Sequence, residues 1–581
     1  MMKRKLILLI SAITVCVCMA GCSKENNSSE INNNVVVSES TIKADTTIKL
    51  GDKITVNGNG VTVKNNKVKI TSAGTYEVTG TLKDGQIIVE AGDEDDVDIV
   101  LNGSNITCSN SSAIYVKNAK NTTIELAVGS ENNLADGKSY TYDDEAKEEP
   151  NAVIFSKSDL KIKGTGSLVV NGNFNHGIFS KDDLEIKNGN ITVNAVNDGI
   201  KGKDSIQVED GNITVNCSGD AMQSSNDTDE TRGYITIEGG TFNLTTTGSG
   251  DEANSSKGIK AITSITINGG EFNVNSYDDA IHSNGAVTIN GGTINLASED
   301  DGIHADGTLD INDGKINISK SYEGLESEVL NINGGNINLT ASDDGINAAG
   351  GTDTQDFGMG RGQDPFTGNS NGQINFNGGY VFVNAGGDGL DANGSINMTG
   401  GTVIVNGSED NGNGALDYDG SFNVSGGLLI ASGSLGMIQT PSTTSAQNSV
   451  SIMLNQQSAN TLIHIEDESG NEILTFAPSK NYQSVIVSSP EITTGSTYKV
   501  YVGGTSTGIE NNGIYTDGEY SDGIETVSFT VSNAVTTAAQ DGVSGRQMGG
   551  HGGQMGNPGW QMGGPGGQQM PGIDGMTPPT W

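Results

Sequence analysis

Ser298-Glu-Asp-Asp-Gly-Ile-His304-Ala-Asp306, followed by Leu309-Asp-Ile-Asn-Asp-Gly-Lys-Ile-Asn-Ile318, is one copy of a repeat. The same place in other copies is marked by Gly199-Ile200, Ala221-Met222, Ala280-Ile281, Gly324-Leu325 and Gly345-Ile346. Most steps are 22 residues, and a step of 59 divides at Gly258-Ile259 into 37 and 22, the 37 being one copy plus an insertion. A second marker keeps phase at Gly189, Gly211, Gly240, Gly270, Gly292, Gly314, Gly335, Gly379, Gly401 and Gly427. A fixed period over so many copies means a solenoid, whose units bury their apolar faces only by stacking.

Within a copy, three short runs alternate apolar and polar residues, the period of a half-buried strand. In the quoted copy they are Gly-Ile-His, Leu-Asp-Ile and Ile-Asn-Ile. Gly-Gly, Asn-Gly or Asp-Gly separates the second run from the third, where a turn needs φ > 0. The expected fold is all-β, a right-handed parallel β-helix with three strands per coil of about 22 residues. About a dozen coils at ~4.8 Å each give a rod of about 60 Å. A thin aliphatic stack explains how 34% hydrophobic residues suffice for 581 residues.

The order along the chain is as follows. Residues 1–21 read as an export signal, with Lys3-Arg4-Lys5 before an apolar run. It ends in Met19-Ala20-Gly21-Cys22, which resembles a bacterial lipobox and makes Cys22 the expected lipidation site. This places the protein outside the cell, anchored by lipid to the outer face of the membrane. Residues 22–41 read as a flexible tether, 42–444 as the β-helix with an N-terminal β cap, 445–533 as a C-terminal β cap, and 534–581 as a disordered Gly/Met/Gln/Pro tail. Cys108 and Cys217 lie far apart in register and are expected to be buried and unbridged. The chain is expected to be a monomer.

Net charge is −40, and −43 once the three leader cations are lost. Such a surface disfavours nucleic acid and anionic membranes. The acids are also placed by the repeat. The residue before the first marker reads Asp198, Asp220, Lys257, Asp279, Asp301, Glu323, Asp344 and Asp388; Asp278, Asp300 and Asp343 double it. Stacked carboxylates about 4.8 Å apart repel, and a calcium ion between two rungs would fit that spacing. Asp278/Asp279 with Asp300/Asp301, Asp343/Asp344, and Asp198 with Asp220 are the candidate calcium ligands. The competing reading is Asp-Gly turn chemistry.

Two residues after the marker Gly or Ala, Lys201, Lys260, His282 and His304 are expected to point outward beside the acidic corner. Lys201 and Lys260 could meet sugar carboxylates or hydroxyls, or merely balance charge. His282 and His304 could form a transition-metal pair or an outer polar ladder. Aromatics are only 5% of the chain, so few residues can stack on sugar; Tyr277 and Tyr322 are the candidates nearest the corner.

Asp-Asp-Gly-Ile, the Ile-x-Ile-Asn-Gly-Gly run, Phe179-Ser-Lys-Asp-Asp-Leu184, Ser72-Ala-Gly-Thr-Tyr76 and Val500-Tyr-Val-Gly-Gly504 together resemble the clostridial carbohydrate-binding β-helix family. The resemblance implies a pectate-lyase-like fold and binding of calcium and of plant cell-wall polysaccharide, cellulose or polygalacturonate. Such binding needs no catalytic residue. The main alternative is a calcium-dependent polysaccharide lyase, which needs a base for the proton next to the uronate carboxyl. Arg4, Arg232, Arg361 and Arg546 all lie off the regular strands, leaving Lys201 and Lys260 for that role. A surface spacer or adhesin is the third reading.

Overall fold

The computed structural model describes residues 43–142, 148–248, 255–349 and 371–545. The expectations for the signal, Cys22 and the tether fall outside those residues, as does most of the C-terminal tail. Among the described residues there is no α-helix, and 44 strands belong to one sheet in which most pairs are parallel.

The pairing follows the repeat. In the regular part each strand pairs in parallel with the equivalent strand of the next copy, which makes three ladders. The first stacks Ile178 on Ile200, Ile200 on Met222 and Met222 on Ile259. The second stacks Leu184/Ile186 on Ile206/Val208. The third stacks Ile191/Val193 on Ile213/Val215. All of these are buried in one continuous apolar core. Alternation explains why: inward side chains meet the same residue type one rung above and below, while outward ones stay polar.

The turn between the second and third ladders is a glycine position because of its backbone. All ten glycines of the second marker have φ between +79° and +136°. At Gly292 an added Cβ would also lie 2.9 Å from the Gly270 carbonyl oxygen.

At the start, the ladders reach back to Thr46–Leu50 and Lys67–Ile70. Antiparallel hairpins with Thr55–Asn57 and Val61–Lys64 end them there, using edges that would otherwise recruit another chain. At the far end, Tyr482–Ser488 pairs antiparallel with Leu428–Gly433 and stops the third ladder. A separate antiparallel sheet of six short strands, which includes Ile463–Asp467 and Thr497–Val502, packs over the outer face of the last copies. The expected boundary at 533 is corrected: Val535–Ala539 is a strand paired in parallel with Ser449–Gln457, because the latter's outer edge needs hydrogen-bond partners. Cys108 and Cys217 are free and buried.

Candidate functional site

The acidic column is built into the backbone. The carboxylates lie where the chain enters the first ladder, and one oxygen of each Asp accepts the N–H of the equivalent residue in the next copy. Asp198 accepts from Asp220 at 3.1 Å and Asp220 from Lys257 at 2.8 Å. Asp279 accepts from Asp301 at 3.0 Å and Asp301 from Glu323 at 3.1 Å. Asp344 accepts from Asp388 at 2.6 Å and Asp388 from Gly414 at 2.5 Å. In several copies the other oxygen takes the side chain three residues on: Lys201 on Asp198 at 3.0 Å, Gln223 on Asp220 at 2.6 Å, His282 on Asp279 at 2.8 Å and His304 on Asp301 at 3.2 Å.

That geometry revises the expected metal ligands. Asp198 and Asp220 have both oxygens engaged; Asp198 also faces His176 at 3.2 Å and Asp220 also accepts from Ser255 at 2.6 Å. Lys257 places its ammonium 2.9 Å from Asp278 and 2.5 Å from Asp279, where a cation between those carboxylates would sit. Burial opposes ionisation of Asp279, but Lys257 and His282 outweigh it and hold its carboxyl below the usual range. Asp301 belongs to a different group, with His304 and Glu326, and burial pushes its carboxyl well up. Asp300 stays within reach of Asp278 and Asp279. Asp343 takes a hydrogen bond from Tyr322, whose phenol is pushed up by burial and by that partner.

Asp388 of the acidic column and Asp391, neither among the candidate ligands, complete another group with Asp344. Asp344, Asp388 and Asp391 bring carboxylate oxygens within 4.8 Å of one another. Burial, with the charges of Asp344, Asp417 and Asp343 and against the hydrogen bond from Gly414, pushes Asp388 up to about 7. Asn347, 4% exposed, sits in register beside Asp391. Its amide nitrogen donates to Glu323 on the preceding copy, and its oxygen is buried without a hydrogen-bond partner.

The outward column also differs from expectation. Lys201 is mostly covered, with 17% of its side chain exposed, and Lys260 donates to Ser255 at 3.0 Å. His282 and His304 are buried, at 1% and 2% exposure, so neither is open to a glycan. The alternation argument fails here because Lys201, His282 and His304 lie back on the carboxylates three residues before them. Arg232 is held near Asp182, Asp183 and Asp204 at 3.2–3.7 Å.

The open polar face is on the third ladder. Thr241–Thr246, Glu271–Ser276 and Thr293–Ser298 bury alternate residues and turn Asn243, Asn273 and Asn295 outward. These amides form a ladder: Asn273 donates to Asn243 at 3.3 Å and Asn295 to Asn273 at 3.2 Å. With Thr245, Asn275 and Ser319 they line an open groove. Tyr277 continues the outward side past Asn275. It is 51% exposed and is the one exposed Phe or Tyr among the described residues. Its ring lies against Gly248, where a Cβ would come within 2.5 Å of it. The signal that finds this face is the outward residue of the third run, Asn in copy after copy.

The chain is thus all-β, built of parallel ladders, one of which carries an open, amide-lined face. Comparison supplies the family. The model for carbohydrate-binding domain-containing proteins matches residues 64–254, 245–302 and 299–453, and the chain belongs to that family. A carbohydrate-binding domain-containing protein of Acetivibrio thermocellus is 47% identical over 145 residues, 25% of this chain. The chain spans about half, 51%, of that relative's length. A solved structure described as a polysaccharide lyase-like protein from C. thermocellum, in a gadolinium derivative, is similar at 34% identity and a TM-score of 0.38 over 46% of this chain and 96% of that one.

Proposed function

We propose that this protein is a non-catalytic, cell-surface polysaccharide-binding protein whose glycan lies on the outer face of the third ladder. The observation that carries the reading is Tyr277, exposed two residues beyond Asn275, on the ladder where Asn243, Thr245, Asn273, Asn275, Asn295 and Ser319 line an open groove. A ring offers an apolar face to a sugar, while amides and hydroxyls both donate and accept. Their spacing of about 4.8 Å repeats along the rod and suits a repeating polymer better than a compact ligand. The ladders are read as the three faces of a right-handed parallel β-helix. Cys22 is read as the lipidated terminus, holding a monomeric rod at the outer face of the membrane.

Calcium is part of the proposal, with its site moved. Asp344, Asp388 and Asp391 bring carboxylate oxygens within 4.8 Å of one another with no imidazole among them, and Asn347, paired in register with Asp391, has a buried oxygen without a hydrogen-bond partner. A cation bound there would neutralise mutually repelling carboxylates. Lys201 and Lys260 are turned onto Asp198 and Ser255, which favours binding over elimination chemistry.

The test is calorimetric titration of the full chain with polygalacturonate and with cello-oligosaccharides, each with calcium and with chelator, while ultraviolet absorbance is followed for unsaturated products. Binding that weakens in Tyr277→Ala, with flat absorbance, supports the proposal. Growing absorbance makes the protein a lyase. Absence of binding to both glycans sinks the reading.

A further inference from the structure

The first end of the rod is charged unlike the rest of it. Residues 43–90 hold seven lysines and five acids, in a chain whose net charge is −40. Lysines gather on the hairpin Val61–Lys64 and Lys67–Ile70, which carries no acid. Its turn residues, Asn65 and Asn66, are both left-handed, at φ +49° and +58°, the turn whose twist matches paired strands. That turn sets Lys64 directly opposite Lys67, and Thr62 opposite Lys69. Alternation puts these four side chains on one face of the hairpin, where with Asn65 and Ile88 they line an open groove.

Like charges directly opposite one another weaken a strand pair. Lys69 is relieved by Glu90 at 2.6 Å. Lys64 and Lys67 are exposed, and among the described residues neither makes an ion pair. Anionic oxygens in the groove would relieve them, with the Asn65 amide and the Thr62 hydroxyl as further donors. The charge of the whole chain does not forbid such a partner, because salt screens it over about 8 Å. From Lys69 the first ladder climbs five rungs, through Ile88, Tyr115, Phe155 and Phe179, to Lys201 beside Asp198. At ~4.8 Å per rung the acidic column begins about 24 Å away, roughly three screening lengths.

This is also the end at which residues 22–41 join the rod, since Thr46–Leu50 opens its ladders. On the reading of Cys22 as the lipidated terminus, on which this inference rests, a flexible tether of that length spans roughly 25 Å. It keeps the hairpin within reach of the bilayer. We infer that the hairpin bearing Lys64 and Lys67 is a docking surface for the anionic lipid headgroups of that bilayer. The rod then stands on its basic end, and its acidic corner and amide face are held away from the lipid. Lys64 and Lys67 together give roughly a 30-fold preference for an anionic over a neutral surface.

The experiment couples the exported chain, from Cys22 onward, through the Cys22 thiol to a maleimide lipid in phosphatidylcholine vesicles with or without phosphatidylglycerol. Cys108 and Cys217 are buried and do not compete. Because coupling supplies the anchor chemically, the mass of the naturally exported chain tests the lipidation of Cys22 separately. Lysines are labelled with an amine-reactive reagent, and each is quantified by mass spectrometry. Lys64 and Lys67 are expected to label several-fold more slowly on anionic than on neutral vesicles, and to recover in high salt. Lys315, exposed far along the rod, is expected to label equally on both. In Lys64→Ala/Lys67→Ala, which removes no buried group, Lys69 should label on anionic vesicles at its neutral-vesicle rate. Equal labelling of Lys64 and Lys67 on the two kinds of vesicle overturns the inference, as does slowing of Lys315 to the same extent. Protection by polygalacturonate on neutral vesicles, without protection by anionic lipid, overturns it too and gives the groove to an acidic glycan.

Discussion

The acidic corner of the first ladder and the amide face of the third are both columns of polar side chains repeated copy by copy, yet they do opposite work. At the corner, Asp198, Asp220, Asp279 and Asp301 are buried, and each carboxylate closes a backbone N–H on the next copy. On the third ladder, Asn243 and Asn273 are exposed and bond mainly to one another. The difference teaches that periodicity alone does not mark a binding surface. A repeated carboxylate next to a strand entry is a structural device, and function is to be sought where the repeated polar group remains open.

The sharpest way to break that contrast is Asp279→Ala. It leaves the Lys257 ammonium without its buried partner and the Asp301 N–H without its acceptor, so a loss of about 3–5 kcal/mol is expected in denaturant unfolding. A loss below about 1 kcal/mol would return the corner to the status of an ordinary solvated surface. Next in size is Gly292→Ala, at φ +102°. It should cost about 1–3 kcal/mol through backbone strain, read as a lower melting temperature with the groove side chains unaltered.

On the open face the effect moves from stability to binding. Tyr277→Ala should weaken glycan binding about tenfold, or about 1.4 kcal/mol. It should leave unfolding within about 0.5 kcal/mol of the parent, as for a surface side chain. Stability lost without a change in affinity would reverse the two regions' assignments. The smallest effect is expected at Asp182, which burial and the charges of Asp159, Asp204 and Asp183 push up to about 6. Here the folded chain binds more protons than the unfolded one between about pH 4 and 6. Stability should therefore fall slightly as pH rises through that window, and Asp182→Asn should flatten the profile.

The third ladder also shows how much could be read before any coordinates. Its outward column runs Asn243, Asn273, Asn295, Asn317, Asn338, Phe382, Ile404, Ile430. The switch from Asn to Phe and Ile coincides with the C-terminal sheet, which buries Ile404 and Ile430 completely. That change in polarity is visible in the sequence and announces a cover. What it does not announce is which segment supplies the cover, since Val485, Val500 and Phe529 come from far along the chain.

The sequence by itself determined the strands, their phase and the stacking of like residues, because period and alternation are local properties that a parallel ladder copies from rung to rung. It also determined the ten left-handed glycine turns, since φ > 0 is a demand made on single residues. Tertiary structure alone decided which polar columns are spent and which are open. Lys257 against Asp278 and Asp279, the imidazoles folded back among carboxylates, and Tyr277 half exposed with its ring against Gly248 depend on side-chain direction and on neighbours one copy away. Sequence spacing places such groups near one another, but only three-dimensional packing chooses their partners.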